Sequence, residues 1–446
     1  MRINIPPQVE FIIQKLTAMG YEAYLVGGCV RDSILGLSPN DWDITTSALP
    51  DEIKSTLNDC KLIETGVKHG TITALIDQVP VEVTTYRVDG KYSDNRHPDE
   101  VRFTHSLKED LARRDFTINA LAYNHSDGII DCFGGAEDIL NKQIRCVGDP
   151  TLRFQEDGLR ILRALRFSSV LSFTIEKNTS ASVLKSCDLL DNIARERINC
   201  EFTKLLCGKK AENVLRDYRL VIEQFLPEIS PMAGFEQHNP YHIYDVWEHT
   251  LKSVGNIEAT PVLRLTMLLH DIGKPYCYTQ DEKGVGHFYG HGEKSTEMAQ
   301  KILERLKYDS VTIDTVTELV KLHDLPLSAE EKLIRHRLNQ LGQKKLRLLL
   351  KVKAADAKAQ NPIYGSRLCE LHEIETVVDD IIARSLCFSL KDLQVDGADI
   401  ISLGIPKGPQ IGRMLSALLD AVIDGKCKNQ FNDLMSYAQA MKGSKL

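Results

Sequence analysis

The sequence has no apolar run approaching the roughly 18 residues that cross a bilayer, and its opening, MRINIPPQVEF, is broken by prolines before any basic-then-apolar leader forms. No membrane association is expected, and the cytoplasm is the expected location. There is no C-x-x-C pair: the eleven cysteines are scattered and odd in number, which excludes a disulfide framework or a cysteine zinc site and indicates reduced thiols. Internal repeats and low-complexity tracts are absent too. So is any surplus of positive charge, with a net charge of -7 and a pI near 6.0. That excludes a basic surface over the whole chain, but phosphate binding needs only a local strip. Between Asn141 and Arg166 such a strip exists, with Lys142, Arg145, Arg153, Arg160, Arg163 and Arg166 against Asp149, Glu156 and Asp157.

What is there is ordinary globular material, 446 residues with 43% hydrophobic and 26% charged. Single cores stop growing near about 250 to 300 residues, so two to four domains are expected. The organising stretch is Leu25 to Thr46, LVGGCVRDSILGLSPNDWDITT. An apolar run ends in Gly27 and Gly28, a helix carries Arg31 and Asp32, and a second run holds Asp41 and Asp43. Carboxylates two apart on a strand share a face, and hard oxygen ligands of that kind suit Mg²⁺. Paired glycines before a helix let backbone N–H groups approach a phosphate. Alone, each feature is more often a strand end or a turn; their combination is what points to a metal and a phosphate. Further strands are read over Thr71–Leu75 and Val79–Thr85, with Glu82 opposite Val81 and Val83 as a candidate third carboxylate facing Asp41 and Asp43.

The Leu25–Thr46 stretch resembles the signature of class II tRNA nucleotidyltransferases, the CCA-adding enzymes and their bacterial poly(A) polymerase relatives in the polymerase β superfamily. The segment ARRDFTINALAYN matches that family's second motif, which implies triphosphate contacts from Arg114 and sugar recognition near Asp115. The polar stretch from Arg87 to Arg102 corresponds to the loop carried by enzymes that complete the terminal A. One amphipathic helix is predicted over Arg153–Phe167, with Leu159, Leu162 and Leu165 on one stripe and Asp157, Arg160, Arg163 and Arg166 on the other. Ion pairing along that face would be sufficient reason for the pattern. Its chemistry says more: an Asp accepting from an exocyclic amino group and an Arg donating to a ring nitrogen accept cytosine and adenine and leave uracil and guanine unpaired. The resemblance identifies the same E-D-x-x-R, here Glu156, Asp157 and Arg160, as the nucleotide-selecting motif. ARERINCEFTKLL, from Ala194, matches the last shared motif, a brace for the neck.

From His238 onward histidines gather: His249, the adjacent His270 and Asp271 in LLHDIGKP, His287, His291, His323 and then Asp356. Histidine with aspartate is the ligand set of a transition-metal hydrolase. The ordered set resembles the HD phosphohydrolase superfamily, which implies His249, His270, Asp271 and Asp356 as ligands of a divalent transition metal. His291 and His323 are candidates for a second ion. Phosphatase or cyclic phosphodiesterase chemistry on a damaged RNA terminus is implied. In the tail, Gly404, Gly408, Pro409 and Gly412 surround a helix start that suits holding the far end of a tRNA by its backbone.

The expected architecture is α+β: a mixed-sheet nucleotidyltransferase head over 1–140, a helical neck for nucleotide selection and RNA binding over 141–230, an HD domain over 231–365 and a helical tRNA-binding tail over 366–446. The expected function is untemplated addition of C, C and A to the tRNA 3′ end from CTP and ATP, with Mg²⁺ on the catalytic Asp41 and Asp43. Gly28, Arg31, Arg114, Arg163 and Arg166, with Gly27 beside them, would hold phosphates and sugar. No obligatory protein partner is indicated. Two alternatives stay open: a bacterial poly(A) polymerase or A-adding enzyme, and an HD metal phosphohydrolase whose head merely binds nucleotide.

Overall fold

The structure, a computed structural model, describes residues 2–90 and 101–442. The chain divides into two compact units, Met1–Pro227 and Glu228–Leu446.

In the first unit, helix α1 (Pro7–Ala18) starts on a proline, whose missing N–H costs nothing there, and buries Val9, Ile12, Ile13 and Leu16. Strand β1 (Ala23–Val26) is buried throughout and passes through Gly27 into helix α2 (Gly28–Ile34). Gly27 has φ +82°, and a Cβ there would stand 3.1 Å from the Arg114 guanidinium, so only glycine lets backbone and cation come this close. Strand β2 (Asp43–Thr46), helix α3 (Pro50–Thr56) and strands β3 (Lys61–Ile63), β4 (Thr71–Ile76) and β5 (Val79–Thr85) follow. Asp77 and Gln78, both at positive φ, make the tight turn between β4 and β5. Next come the paired strands β6 (Arg87–Asp89) and β7 (Val101–Phe103), helix α4 (Leu107–Ala112), and strands β8 (Leu121–Asn124) and β9 (Gly128–Asp131).

The resulting seven-stranded sheet has the order β3-β4-β5-β2-β1-β8-β9. Its β2–β5 pair is parallel and its other pairs antiparallel, so the sheet is mixed, as expected. The parallel register sets Asp43 directly beside Glu82.

The helical remainder of this unit comprises α5 (Gly135–Leu140), α6 (Pro150–Glu156), α7 (Leu159–Leu171), α8 (Lys177–Lys185), α9 (Arg195–Leu206), α10 (Ala211–Asp217) and α11 (Arg219–Glu223). Helix α7 buries Leu159, Leu162 and Leu165 and packs on α9, which buries Ile198, Phe202 and Leu205.

Three local expectations are corrected. Strand β2 begins at Asp43, so Asp41 stands on the connection before it and not on the strand. The polar stretch expected as a loop from Arg87 to Arg102 starts and ends in strands, because β6 and β7 pair with each other; residues 91–100 between them lie outside the described residues. The single helix predicted over Arg153–Phe167 is two. Asp157 is extended (φ -142°, ψ 103°), and its Oδ1 accepts the Leu159 N–H at 3.1 Å. Gly158 then opens α7, where a Cβ would meet the Leu189 carbonyl oxygen at 3.1 Å.

The second unit is helical: α12 (Val246–Asn256), α13 (Pro261–Leu269), α14 (His291–Arg305), α15 (Ser310–Leu322), α16 (Glu331–Lys358), α17 (Ser366–Ala383), α18 (Gly397–Ser402), α19 (Pro409–Ile423) and α20 (Phe431–Lys442). Helix α16 is interrupted at Gly342, φ +72°. One core joins α15, α16 and α17 through Leu319, Leu338, Leu346, Leu349, Ile374 and Val378. A separate core begins at Cys387 and includes Ile400, Met414, Leu418 and Leu434. Among the described residues no helix is long and apolar enough to cross a membrane. The eleven cysteines are free thiols.

Candidate functional sites

The first site lies where β1, β2 and β5 meet α2. Asp43 starts β2 with Glu82 in register on β5, and Glu82 is exposed because its neighbours Val81 and Val83 point into the core. Burial pushes the Asp43 carboxyl up to about 6, and the charges of Glu82 and Asp41 add to this, while Arg114 opposes it. An unbalanced group of carboxylates is the environment that a divalent cation relieves, and their all-oxygen donor set fits Mg²⁺.

Basic groups border these acids. Arg31 donates from NH1 to Asn119 Oδ1 at 2.6 Å and from Nε to Asp32 at 2.8 Å. Arg114 lies 3.6 Å from Asp110 Oδ2 and beside Gly27, and Arg31 lies beside Gly28. Asp115 is nearly fully buried; burial opposes its charge, but Arg163 and the Asn119 amide outweigh it, so its carboxyl sits far below the usual range. Its Oδ2 accepts from Arg163 at 2.7 and 2.8 Å and its Oδ1 from Asn119 at 3.0 Å. Arg166 Nε pairs with Glu201 at 2.6 Å. Arg31, Arg163 and Arg166 also surround the Phe167 ring, at 5.0, 5.4 and 4.0 Å from its centroid.

Each member of the pair expected to choose the base has a partner of its own. The break before α7 turns Asp157 toward Arg197 of α9, at 3.1 Å. Arg160 is buried and donates to Glu156 at 2.5 Å and to the carbonyls of Arg153 and Arg113 at 3.1 and 3.0 Å. Phe167 and Arg197 were not singled out from the sequence. Phe167 ends a helix read for its leucine stripe and its charged face, and Arg197 stood in the segment read as a brace.

The second site is a buried cluster in the second unit. Asp245 caps α12 by accepting the Glu248 N–H, which puts His249 in the first turns of that helix. The chain leaving α13 supplies His270 and Asp271, the start of α14 gives His291, the end of α15 gives His323, and α16 gives Asp356. His249 Nε2 lies 2.9 Å from Asp356 Oδ1 and 3.3 Å from Asp271 Oδ2; His270 Nε2 is 3.3 Å from the same Asp271 oxygen. His291 and His323 Nε2 lie 3.1 Å apart, each 3.5 Å from Asp271 Oδ1. One Asp271 oxygen thus faces each histidine pair, and the two groups have metal-ligand spacing.

The other ring nitrogens are committed. Nδ1 of His270, His291 and His323 lies 2.7, 2.7 and 2.6 Å from the carbonyl oxygens of Met267, Phe288 and Val320. Donation to those carbonyls leaves the Nε2 lone pairs aimed inward, as metal-binding histidines require. Burial opposes a charge on His270, yet Asp271 and Asp356 prevail and push its pKa up to about 10. The two carboxylates attract whichever cation stands among the rings, a proton or a metal. The donor set of imidazoles and carboxylates fits a divalent transition metal.

Lys274, His242, Gln360 and Arg367 also line or brace this cavity and were not anticipated. Lys274 Nζ sits 2.6 Å from Asp271 Oδ2, and its place three residues after Asp271 was the available signal. Burial pushes His242 down to about 2, and Lys274 and His249 contribute in the same direction. His287 is not in the cluster; it pairs with exposed Asp281 at 3.1 Å.

Comparison with known proteins matches three segments of the chain and its whole length. Residues 23–145 match the family model for the poly A polymerase head domain, 172–232 that for an RNA- and SrmB-binding site of polymerase A, and 288–438 that for tRNA nucleotidyltransferase domain 2. The chain is 34% identical to the CCA-adding enzyme of Lacticaseibacillus paracasei over 98% of its length and 96% of the relative's. The crystal structure of the Bacillus stearothermophilus CCA-adding enzyme in complex with CTP is similar, with a TM-score of 0.73, 28% identity and 99% of both chains covered. The Thermotoga maritima CCA-adding enzyme complexed with tRNA shares the fold at a TM-score of 0.59 and 20% identity, over 99% of this chain and 100% of that one.

Proposed function

The chain belongs to the CCA-adding enzymes, tRNA nucleotidyltransferases, and from that premise we propose how its residues divide the work. CTP and ATP are the substrates and the tRNA 3′ end is the acceptor. Asp41 and Asp43, with Glu82 beside them, hold Mg²⁺; the observation carrying this is the Asp43–Glu82 register and the raised Asp43 carboxyl. When bound, Mg²⁺ supplies Lewis-acid help to the 3′-hydroxyl and to the departing pyrophosphate.

The chain's own groups position the nucleotide. Gly27 and Gly28 let its phosphates approach the backbone, and Arg31 and Arg114 take the triphosphate charge. Asp115 orients Arg163 and receives the ribose, while Phe167 and Glu201 fix Arg166. Asp157 and Arg160 select the base. Since each now holds another partner, selection proceeds by exchange: the base amino group takes the place of Arg197 at Asp157, and its ring nitrogen takes that of Glu156 at Arg160.

The second unit adds an HD-type phosphohydrolase. His249, His270, Asp271 and Asp356 hold a divalent transition metal, and Asp271, His291 and His323 hold a second. Such ions polarise a phosphate ester and activate water. Within this reading the chain is a cytoplasmic enzyme with a head over 1–140, a neck over 141–230, an HD domain over 231–365 and a tRNA-binding tail over 366–446.

The test is extension of a tRNA lacking its 3′ CCA, with Mg²⁺ and CTP, ATP or both. Two residues are expected with CTP alone and a third only when ATP is added. Long A-tracts would overturn the assignment of Asp157 and Arg160, and phosphatase activity that survives Asp271→Asn would overturn the HD centre.

A further inference from the structure

Gln360, 7% exposed and just beyond α16, spans two charged groups with one amide. Its Nε2 donates to Asp356 Oδ2 at 3.0 Å, and its Oε1 accepts from Arg367 NH1 at 2.6 Å. The opposite amide orientation would set donors against the guanidinium and an acceptor against the carboxylate, so the network fixes this one. Asp356 is thereby divided. Oδ2 is occupied by the amide, and Oδ1 is left to His249 at 2.9 Å and His270 at 3.7 Å.

Arg367, in the first turn of α17, is exposed and lines the same cavity as Asp271, His291 and His323. The amide occupies one end of its fork, and a guanidinium has five N–H donors suited to the paired oxygens of a phosphate. Lys274, the other cation lining the cavity, is already held by Asp271 at 2.6 Å and Gln237 at 3.0 Å. Arg367 is therefore the cavity cation suited to meet an incoming anion.

We propose that Gln360 is a positioning residue that fixes Asp356 as a one-oxygen metal ligand and links it to Arg367, the anion contact for a phosphate ester in this cavity. The proposal rests on the metal-centre reading given above.

The full chain loaded with Co²⁺ tests it, with metal affinity read by calorimetry and visible absorption and inorganic phosphate as the anion probe. Gln360→Met keeps length but loses both hydrogen bonds; Co²⁺ should bind about 10- to 100-fold more weakly, the usual loss when a ligand's outer partner is removed. Gln360→Glu keeps an acceptor for Arg367 and loses the donor to Asp356, so it should also weaken Co²⁺ while retaining phosphate binding at saturating metal. Arg367→Ala should leave Co²⁺ affinity within about threefold and weaken inorganic phosphate about tenfold or more, with Arg367→Lys recovering part of it. The calorimetric unfolding transition of the second unit, kept near the wild-type temperature, reports that each variant is folded. Wild-type Co²⁺ affinity in both Gln360 variants would overturn the positioning role. Unchanged phosphate affinity in Arg367→Ala would overturn the anion contact. A wild-type chain that binds no Co²⁺ would overturn the metal centre itself, an outcome distinct from the other two.

Discussion

Asp43 holds its charge against its surroundings. Folding raises its pKa from 3.8 to about 6, so the group favours the folded chain below its ordinary value and loses that contribution as pH rises through about 6. At neutral pH the bare carboxylate is destabilising, and a bound divalent ion reverses this. Saturating Mg²⁺ should therefore raise the unfolding temperature of the first unit by a few degrees near pH 7.5 and much less near pH 5, measured by calorimetry. Asp43→Asn, which keeps the shape and removes the charge, should lower CTP incorporation by about a hundredfold or more, since metal stabilisation of the transition state is worth several kcal/mol. Hydrolysis of a phosphate ester by the second unit should be unaffected in that variant. Asp43 on a strand and the Gly pair before a helix were legible from the sequence, whereas Asp41 was read onto a strand that starts two residues later. The partner that holds Asp157 was not legible, because Arg197 lies forty residues away and only the tertiary fold brings them together.

The break between α6 and α7 decides where the selecting residues point. Periodicity over Leu159, Leu162 and Leu165 correctly indicated a helix, but it carries no information on where that helix begins. The signal was present as Asp157–Gly158, a pair that marks turns, and the charge pattern around it concealed the point. Gly158 accepts no side chain without moving Leu189, so Gly158→Val should destabilise the first unit by about 1 to 3 kcal/mol in urea unfolding. The same variant should misincorporate UTP more often, because Asp157 and Arg160 are displaced together. If stability falls and base choice is untouched, the break serves packing alone. The paired strands at Arg87–Asp89 and Val101–Phe103 were missed for a related reason: each has three residues, too few for alternation to show.

At the scale of the whole molecule, two units with separate ligands should melt separately. Mg²⁺ with CTP is expected to move one calorimetric transition and Co²⁺ the other, each by an amount set by ligand concentration over its dissociation constant. The mixed sheet and the change to a mainly helical remainder could be read from strand patterns and helical periodicity. How the last helices share their cores could not, since apolar stripes do not name their partners. That sharing governs where the chain tolerates being cut short. Truncation after residue 365 would remove Ile374, Val378 and Ile381 and leave Leu338, Leu346 and Leu349 uncovered, an apolar face that invites aggregation. Ending the chain after α17 instead keeps Ile374, Val378 and Ile381 on that face and removes the core that begins at Cys387, with Leu386 and Phe388 from the first core's edge. The longer fragment should stay in solution and the shorter one sediment, so in this protein soluble expression depends on keeping α17.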